Sequence, residues 1–177
     1  MSTMLLERPV MKNDGRLIAS LFDNEDRWLK THKTFHYSID VCLKDSNAYG
    51  NTYFARYFEW QGVCRERWFY ECISPDMLQH IGVFITKDAH QEYIQETFPF
   101  QQVDCEVNTF AIKQCSFSLE FRFHVAGNLV SKGYQQIVFA NRDKKIARLP
   151  DHILDKIRQY EAPAGHKDGS KCNGVMR

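Results

Sequence analysis

The sequence lacks the features that would indicate a disulfide-stabilised, metal-binding or nucleic-acid-binding protein. Its six cysteines include no CxxC pair, which favours reduced core thiols over a disulfide framework. Its seven histidines show no spacing typical of metal ligands, so we expect no metal site. Lys and Arg number 23 against 22 Asp and Glu, for a net charge of +1. This balance argues against a polyanion-binding surface, and we expect no nucleic-acid partner.

Long apolar runs are also missing. No stretch approaches the roughly 20 apolar residues of a membrane-spanning helix. The first residues, MSTMLLERPVMKNDG, lack the uninterrupted apolar centre of a signal peptide. We therefore expect a cytoplasmic protein without a membrane partner. A chain of 177 residues has the length of one globular domain with tails.

The central part of the chain begins with a strand pattern followed by a helix pattern. FHYSIDVCL alternates between apolar and polar residues and predicts a half-buried strand. From Tyr53 to about Cys72, apolar residues recur every three or four positions and form a broad stripe that includes Phe54 and Phe58. This periodicity predicts a long buried helix, which a sheet must cover.

Several later segments alternate and predict further strands: IGVFITKDAHQEYIQ, QQVDCEVNTFAIK, CSFSLEFRFHV and LVSKGYQQIVFAN. The alternation slips at Asn108 and Thr109, which predicts a bulge, and LPDHILDKIRQY predicts a short amphipathic helix. The order of elements indicates an α+β fold, with an antiparallel β-sheet wrapped around one long central helix. We expect this domain at residues 34–160, after a partly helical N-terminal extension, 1–33, and before a flexible polar tail, 161–177.

The stretch KDSNAYGNTYFARYFEWQGVCRE combines a turn with polar residues on the predicted helix. Asn47, Gly50 and Asn51 precede the helix and are typical turn formers and caps. Gln61 and Arg65 lie one turn apart, on a helical row that is otherwise aromatic. The backbone N–H groups around Gly50 and Asn51 and the side chains of Gln61 and Arg65 are candidates for binding a substrate.

Arg65 is the candidate with the clearest chemical requirement. A buried guanidinium without an acceptor is costly, and a structural ion pair with Glu66, Asp88 or Glu92 would satisfy it. The Arg65 guanidinium would also suit thioester hydrolysis, because it can stabilise the negative charge that builds up on the carbonyl oxygen. We do not expect Cys64, the preceding residue, to be a nucleophile activated by Arg65, since consecutive helical residues point about 100° apart.

The motif N-x-x-G-N-x-Y-x-x-x-Y-x-x-W-Q-G-x-C-R-E begins at Asn47 and resembles a known family. With the strand before it and the buried helix, it is similar to the hotdog-fold thioesterases of the 4-hydroxybenzoyl-CoA thioesterase superfamily, over roughly Thr34 to Tyr160. The detailed pattern resembles the thioesterases that accompany iterative polyketide synthases in enediyne biosynthesis. The resemblance implies a single hotdog domain that hydrolyses thioesters without a cofactor.

The resemblance also implies roles for individual side chains. In the hydroxybenzoyl-CoA enzymes the position of Asn47 is an aspartate that acts as nucleophile or general base, whereas an amide can only orient and donate. The enediyne-type enzymes lack this carboxylate too and use an arginine of the central helix, which falls on Arg65. Tyr57 falls near their active site, although a buried tyrosine is also a common core residue. Water is then expected to attack while Asn47 and Arg65 stabilise the oxyanion.

The implied function is hydrolysis of an acyl or β-ketoacyl chain, of polyketide or polyene type, from the acyl carrier protein of an iterative polyketide synthase. The resemblance further implies that a β-keto acid product loses carbon dioxide to give a methyl ketone. A general acyl-CoA thioesterase and a non-catalytic acyl-binding hotdog protein are the alternatives. Because open sheet edges pair across subunits, we also expect a homo-oligomer, either a dimer or a tetramer.

Overall fold

The computed structural model describes residues 32–75 and 82–162. Its elements in chain order are β1 (Phe35–Asp40), α1 (Arg56–Trp68), β2 (Val83–Tyr93), β3 (Gln102–Phe110), β4 (Ser116–Val125), β5 (Asn128–Ala140) and α2 (Asp151–Arg158). A 3-10 turn, Leu43–Asp45, follows β1, and α1 continues into a π-helical turn, Phe69–Ile73. The helices predicted in the N-terminal extension and most of the C-terminal tail lie outside the described residues. Within these residues, no helix has the length and apolar character needed to cross a membrane.

The strands form one antiparallel sheet in the order β1-β3-β4-β5-β2. Four alternate residues of the central strand β4 are at most 1% exposed: Phe117, Leu119, Phe121 and Phe123. Their alternation in the sequence predicted this buried face correctly. β1 and β2 are the edge strands of the sheet, and most residues of β2 are exposed.

The predicted bulge at Asn108 and Thr109 is wrong. β3 pairs with β4 in continuous register there, with Asn108 opposite Glu120 and Thr109 opposite Leu119. The chain after α2 covers this end of β3, where Asn108 Nδ2 and the Thr109 N–H donate to the Tyr160 carbonyl oxygen at 3.3 and 2.8 Å. Hydrogen bonds to this backbone carbonyl allow the two polar residues to be buried in a regular strand. Their presence in the sequence therefore does not require a bulge.

Helix α1 packs on the sheet face that carries the β4 aromatic residues. The rings of Tyr57 and Trp60 lie 5.3 and 6.4 Å from that of Phe123, and Trp68 lies 6.0 Å from Phe117. The α-helix has 13 residues and the π-helical turn adds five, so the central helix is slightly shorter than its sequence pattern suggests. Its buried residues are Tyr57, Trp60, Gln61, Cys64 and Trp68.

The apolar stripe predicted for the helix is buried only in part. Phe54, just before α1, and Phe58 are 56% and 38% exposed, because they lie on a flank of the helix that the sheet does not cover. Val83, Ile85 and Tyr93 of the edge strand β2 are also 46%, 43% and 46% exposed. They lie on both faces of the sheet edge, since Val83 and Ile85 alternate with Phe84, which packs on Phe69 of the central helix. We call these five residues the edge surface. A single chain leaves their apolar side chains in water, which is unfavourable.

Helix α2 closes one end of the core. It begins at Asp151, as the sequence predicted, and buries Ile153 and Ile157. Tyr160, which follows it, meets Trp68 edge-on with ring centroids 5.7 Å apart. The short C-terminal helix therefore anchors the far end of α1, away from the turn at its N-terminus.

Candidate active site

The turn before α1 is held by its own hydrogen bonds. The Asn47 N–H donates to the Asn51 carbonyl oxygen at 2.9 Å, and the Gly50 N–H donates to the Asn47 carbonyl oxygen at 3.0 Å. Gly50 has φ +85°, a conformation that glycine adopts without strain. Asn47 Oδ1 accepts from the Tyr49 N–H at 2.8 Å. The Gly50 N–H is thus already used within the turn, whereas the Asn47 side-chain NH₂ bonds to none of the described residues and remains a free donor.

A cavity of about 490 Å³ opens between this turn, the start of α1 and the segment after β2. We call it the turn cavity, and its walls include Asn47, Asn51, Phe54, Tyr57, Tyr93 and Thr97. Asn51 Nδ2 donates to Glu96 Oε1 at 2.6 Å, so this predicted substrate-binding side chain is tied to a carboxylate. The structure therefore brings Asn47, Asn51 and Tyr57, all predicted from the sequence, to one cavity.

Tyr57 reaches a buried pair of threonines. Its hydroxyl lies 2.9 Å from Thr97 Oγ1, which lies 2.8 Å from Thr52 Oγ1. The Tyr57 ring meets Tyr93 and Phe123 edge-on at 5.6 and 5.3 Å. Burial raises the pKa of the Tyr57 phenol, since the phenolate would lose its hydration. Tyr57 is therefore both a packed aromatic and a neutral polar group of the turn cavity.

Gln61 is enclosed between α1 and the strands. Its side chain has no exposed surface, and its Nε2 donates to the His90 carbonyl oxygen at 2.9 Å and to Gln91 Oε1 at 2.5 Å. Gln91 Nε2 continues to Ser131 Oγ at 2.5 Å. We call Gln61, Gln91 and Ser131 the amide chain. Gly133 makes room for it, because a Cβ there would lie 2.3 Å from the His90 oxygen. Gln61 thus binds a strand, and no wall of the turn cavity includes it.

Arg65 extends from α1 to neutral partners on two strands. Its Nη1 donates to Thr86 Oγ1 and, at 3.2 Å, to Gln135 Oε1. Within the described residues it pairs with no carboxylate, and Asp88 and Glu92 have other partners, Tyr134 and Lys132. The ion pair that the sequence left open for Arg65 is therefore absent from this part of the chain. Its positive charge remains available to an anion or an oxyanion.

Arg65 borders a second cavity, of about 420 Å³, which we call the arginine cavity. Its other walls include the apolar or aromatic residues Phe69, Tyr70, Val83 and Phe84, together with the charged residues Glu66 and Arg67. Arg65 follows Tyr57 by eight residues, which corresponds to about 12 Å along a helix. In one chain, the Asn47 and Tyr57 side chains and the Arg65 side chain therefore line separate cavities. Cys64 points into the core and has no exposed surface.

Family comparison identifies the domain that contains the turn and both cavities. The model of the thioesterase-like superfamily matches residues 41–157. The chain belongs to the thioesterase-like superfamily. This match includes the turn, α1, both cavities and the four strands β2 to β5, whereas β1 ends at Asp40, just before the match begins. Comparison with curated protein sequences gives no match.

Solved structures of thioesterases share this superfamily fold. The dynemicin thioesterase, studied for polyene binding, is 20% identical with a TM-score of 0.67 and covers 75% of this chain and 100% of its own. The 1,4-dihydroxy-2-naphthoyl-CoA thioesterase from Synechocystis is 16% identical, with a TM-score of 0.65 and coverage of 74% and 100%. A Staphylococcus aureus protein in complex with CoA is 12% identical, with a TM-score of 0.72 and coverage of 82% and 97%. At these identities the likeness establishes the shared hotdog fold alone.

Three polar residues of the superfamily domain were not anticipated from the sequence. Thr97 contacts Tyr57 and Thr52, and Thr86 contacts Arg65. Thr97 lies 40 positions from Tyr57, in the segment QETFPF, which carries no recognisable motif. These contacts depend on how distant segments pack in the folded chain, which a local sequence pattern does not show.

Proposed function

We propose that this protein hydrolyses an acyl or β-ketoacyl thioester carried by an acyl carrier protein of an iterative polyketide synthase. The observation that carries the proposal is the guanidinium of Arg65, whose partners among the described residues are neutral and which borders a partly apolar cavity in a thioesterase-like chain. The arginine cavity has the apolar and aromatic walls that suit an acyl or polyene chain. The enediyne-type motif around Asn47 favours a carrier-protein substrate over a general acyl-CoA.

The proposed reaction needs water and no covalent intermediate. The water oxygen attacks the thioester carbonyl carbon, and the carbonyl π electrons move to its oxygen. The tetrahedral intermediate then expels the thiolate, which takes up the proton that the attacking water gives up, and a carboxylic acid remains. A fixed donor aimed at the oxyanion contributes on the order of 3 kcal/mol to such a reaction. Arg65 and the free NH₂ of Asn47 are the proposed donors.

The proposed active form is a homodimer in which β2 of one copy pairs with β2 of the other. β2 is an edge strand, and the edge surface beside it is apolar and exposed. A twofold axis beside these elements would run the two α1 helices in opposite directions. The Arg65 half of one helix would then lie beside the Tyr57 half of the other. One active site would combine the turn cavity of one chain with the partner's Arg65.

Mixing two impaired variants tests this composite site. We expect Arg65→Ala and Asn47→Ala each to lose most of their activity as separate homodimers. In a heterodimer of the two, one site keeps both residues, so random exchange should restore about a quarter of wild-type activity. A site confined to one chain would show no recovery. Light scattering should report a dimer or tetramer, and a monomer at micromolar concentration would contradict the assembly.

The proposed activity is tested with one set of acyl chains attached either to CoA or to an acyl carrier protein. Release of the free thiol is measured for β-ketoacyl and saturated chains of several lengths. We expect hydrolysis of both, with a higher kcat/KM for the carrier-protein thioesters. Equal kcat/KM on both carriers would favour the general acyl-CoA thioesterase. Saturable binding without hydrolysis would favour an acyl-binding protein and reject the proposed reaction.

A further inference from the structure

The Tyr57, Thr97 and Thr52 side chains form a closed set of hydroxyl groups at the wall of the turn cavity. They are 3%, 1% and 9% exposed, so each hydrogen needs a partner inside the protein. Thr52 Oγ1 lies 3.1 Å from the Thr97 carbonyl oxygen, and Thr97 Oγ1 lies 2.8 Å from Thr52 Oγ1. Tyr57 Oη lies 2.9 Å from Thr97 Oγ1. The three contacts join residues from three separate segments of the chain.

Counting hydrogens fixes the direction of these bonds. The Thr97 carbonyl oxygen has no hydrogen, so the Thr52 hydroxyl must donate to it. The Thr97 hydroxyl then donates to Thr52 Oγ1. Both threonine hydrogens are now used, so the hydrogen between Tyr57 and Thr97 belongs to Tyr57. The Thr97 carbonyl oxygen also accepts the Thr52 N–H at 2.8 Å, but the opposite direction would still leave Thr52 Oγ1 in contact with this oxygen without a hydrogen between them, which is unfavourable.

We propose that Tyr57 faces the turn cavity as a hydrogen-bond acceptor and that Thr97 is the positioning residue that holds it in this state. The single phenol hydrogen points inward at Thr97, so only lone pairs remain for a ligand. Burial raises the pKa of Tyr57, so the phenol stays neutral at physiological pH and this polarity is kept. A carbonyl oxygen or an oxyanion is excluded as its ligand, because neither has a hydrogen to donate.

This inference rests on the proposed thioester hydrolysis and assigns Tyr57 a partner in it. The attacking water can donate an O–H to Tyr57 Oη, whereas the thioester carbonyl cannot. Asn47, on the same cavity, has the opposite polarity, because its Oδ1 is occupied by the Tyr49 N–H and its NH₂ is free. The turn cavity thus offers a donor that suits the carbonyl oxygen and an acceptor that suits the water. The carbonyl oxygen would therefore bind at Asn47 and the attacking water at Tyr57.

Kinetics of four variants test the role of Thr97. Thr97→Val keeps the shape of the side chain and removes its hydroxyl, whereas Thr97→Ser keeps the hydroxyl. We expect kcat to fall roughly tenfold in Tyr57→Phe and severalfold in Thr97→Val, with KM within about twofold, and Thr97→Ser to stay within about twofold of wild type. The double variant Tyr57→Phe/Thr97→Val should be no slower than Tyr57→Phe, because Thr97 acts through Tyr57. Full additivity of the two losses would overturn the proposal.

A second measurement does not depend on turnover. In protein labelled with ¹³Cζ-tyrosine, the Tyr57 resonance is identified by its loss in Tyr57→Phe. A bond that Tyr57 donates stabilises the neutral phenol, whereas a bond that it accepts stabilises the phenolate. In Thr97→Val this resonance should therefore shift and titrate at a lower pH than in the wild type, and a higher titration pH would contradict the proposed direction. An unchanged resonance in a folded Thr97→Val protein would overturn the assignment. If the wild type hydrolyses no thioester, the proposed function fails, while the resonance still decides the hydrogen-bond direction.

Discussion

Arg65→Ala is expected to lower kcat by about 10²- to 10³-fold, the typical loss for removing one oxyanion donor. The guanidinium donates to Thr86 and Gln135, which are both neutral. No carboxylate of the described residues therefore compensates its charge, which becomes favourable when negative charge develops nearby. A structural arginine would already have a carboxylate partner, and its removal would mainly lower stability.

Arg158→Ala is the matched control for this prediction. Arg158 lies on α2, forms an ion pair with Asp155 and borders neither the turn cavity nor the arginine cavity. We expect its removal to leave kcat within about twofold, since exposed pairs contribute about 1 kcal/mol or less to stability and its charge is already compensated. Thermal melts should show both variants folded. Wild-type turnover in a folded Arg65→Ala protein would reject the oxyanion role of Arg65.

Asn47→Asp is expected to lower activity by roughly tenfold or more, a loss of about 1.4 kcal/mol in transition-state stabilisation. This substitution changes the chemistry of the side chain without removing its contact in the turn. Aspartate keeps the oxygen that accepts from the Tyr49 N–H, so the turn should stay intact. It removes both side-chain donors and adds a negative charge that would pair with the arginine needed for the oxyanion.

The outcome separates three roles for Asn47. Unchanged activity on a carrier-protein thioester would mean that Asn47 only forms the turn, because aspartate is an equally good turn former. A faster reaction would mean that the site can still use a carboxylate as the hydroxybenzoyl-CoA enzymes do. An unchanged melting temperature in the variant would show that the turn itself is preserved, so that a fall in kcat reports the lost donors.

Local patterns predicted much of this fold, and contacts between distant segments explain the rest. The alternation of Phe117 to Phe123 predicted the buried face of β4 because strand side chains point to opposite faces in turn. The turn at Asn47 and Gly50 was also predictable, since it closes within a few residues. The burial of Asn108 was misread as a bulge because its partner, the Tyr160 carbonyl, lies 52 positions away.

For the candidate site, too, local patterns predicted some features and contacts between distant segments determined the others. Asn47, Tyr57 and Arg65 could be selected from one continuous motif, but their distribution between two cavities could not. Helical periodicity also could not show that Phe58 is left exposed, because an apolar flank looks the same whether the sheet covers it or not. The threonine partners depend on how β2 and the segment after it lie against α1.

The amide chain holds β2 and the segment after it in position against α1. β2 is mostly exposed, so alternation of apolar and polar residues gives it little preference for one register over another. The buried bonds from Gln61 to the His90 carbonyl and Gln91 choose the register instead. A slip of two residues would move β2 by about 7 Å and displace Thr86 from Arg65 at one end and Thr97 from Tyr57 at the other. The buried contacts of Gln61 and Gln91 thus set the distance between the two halves of the site.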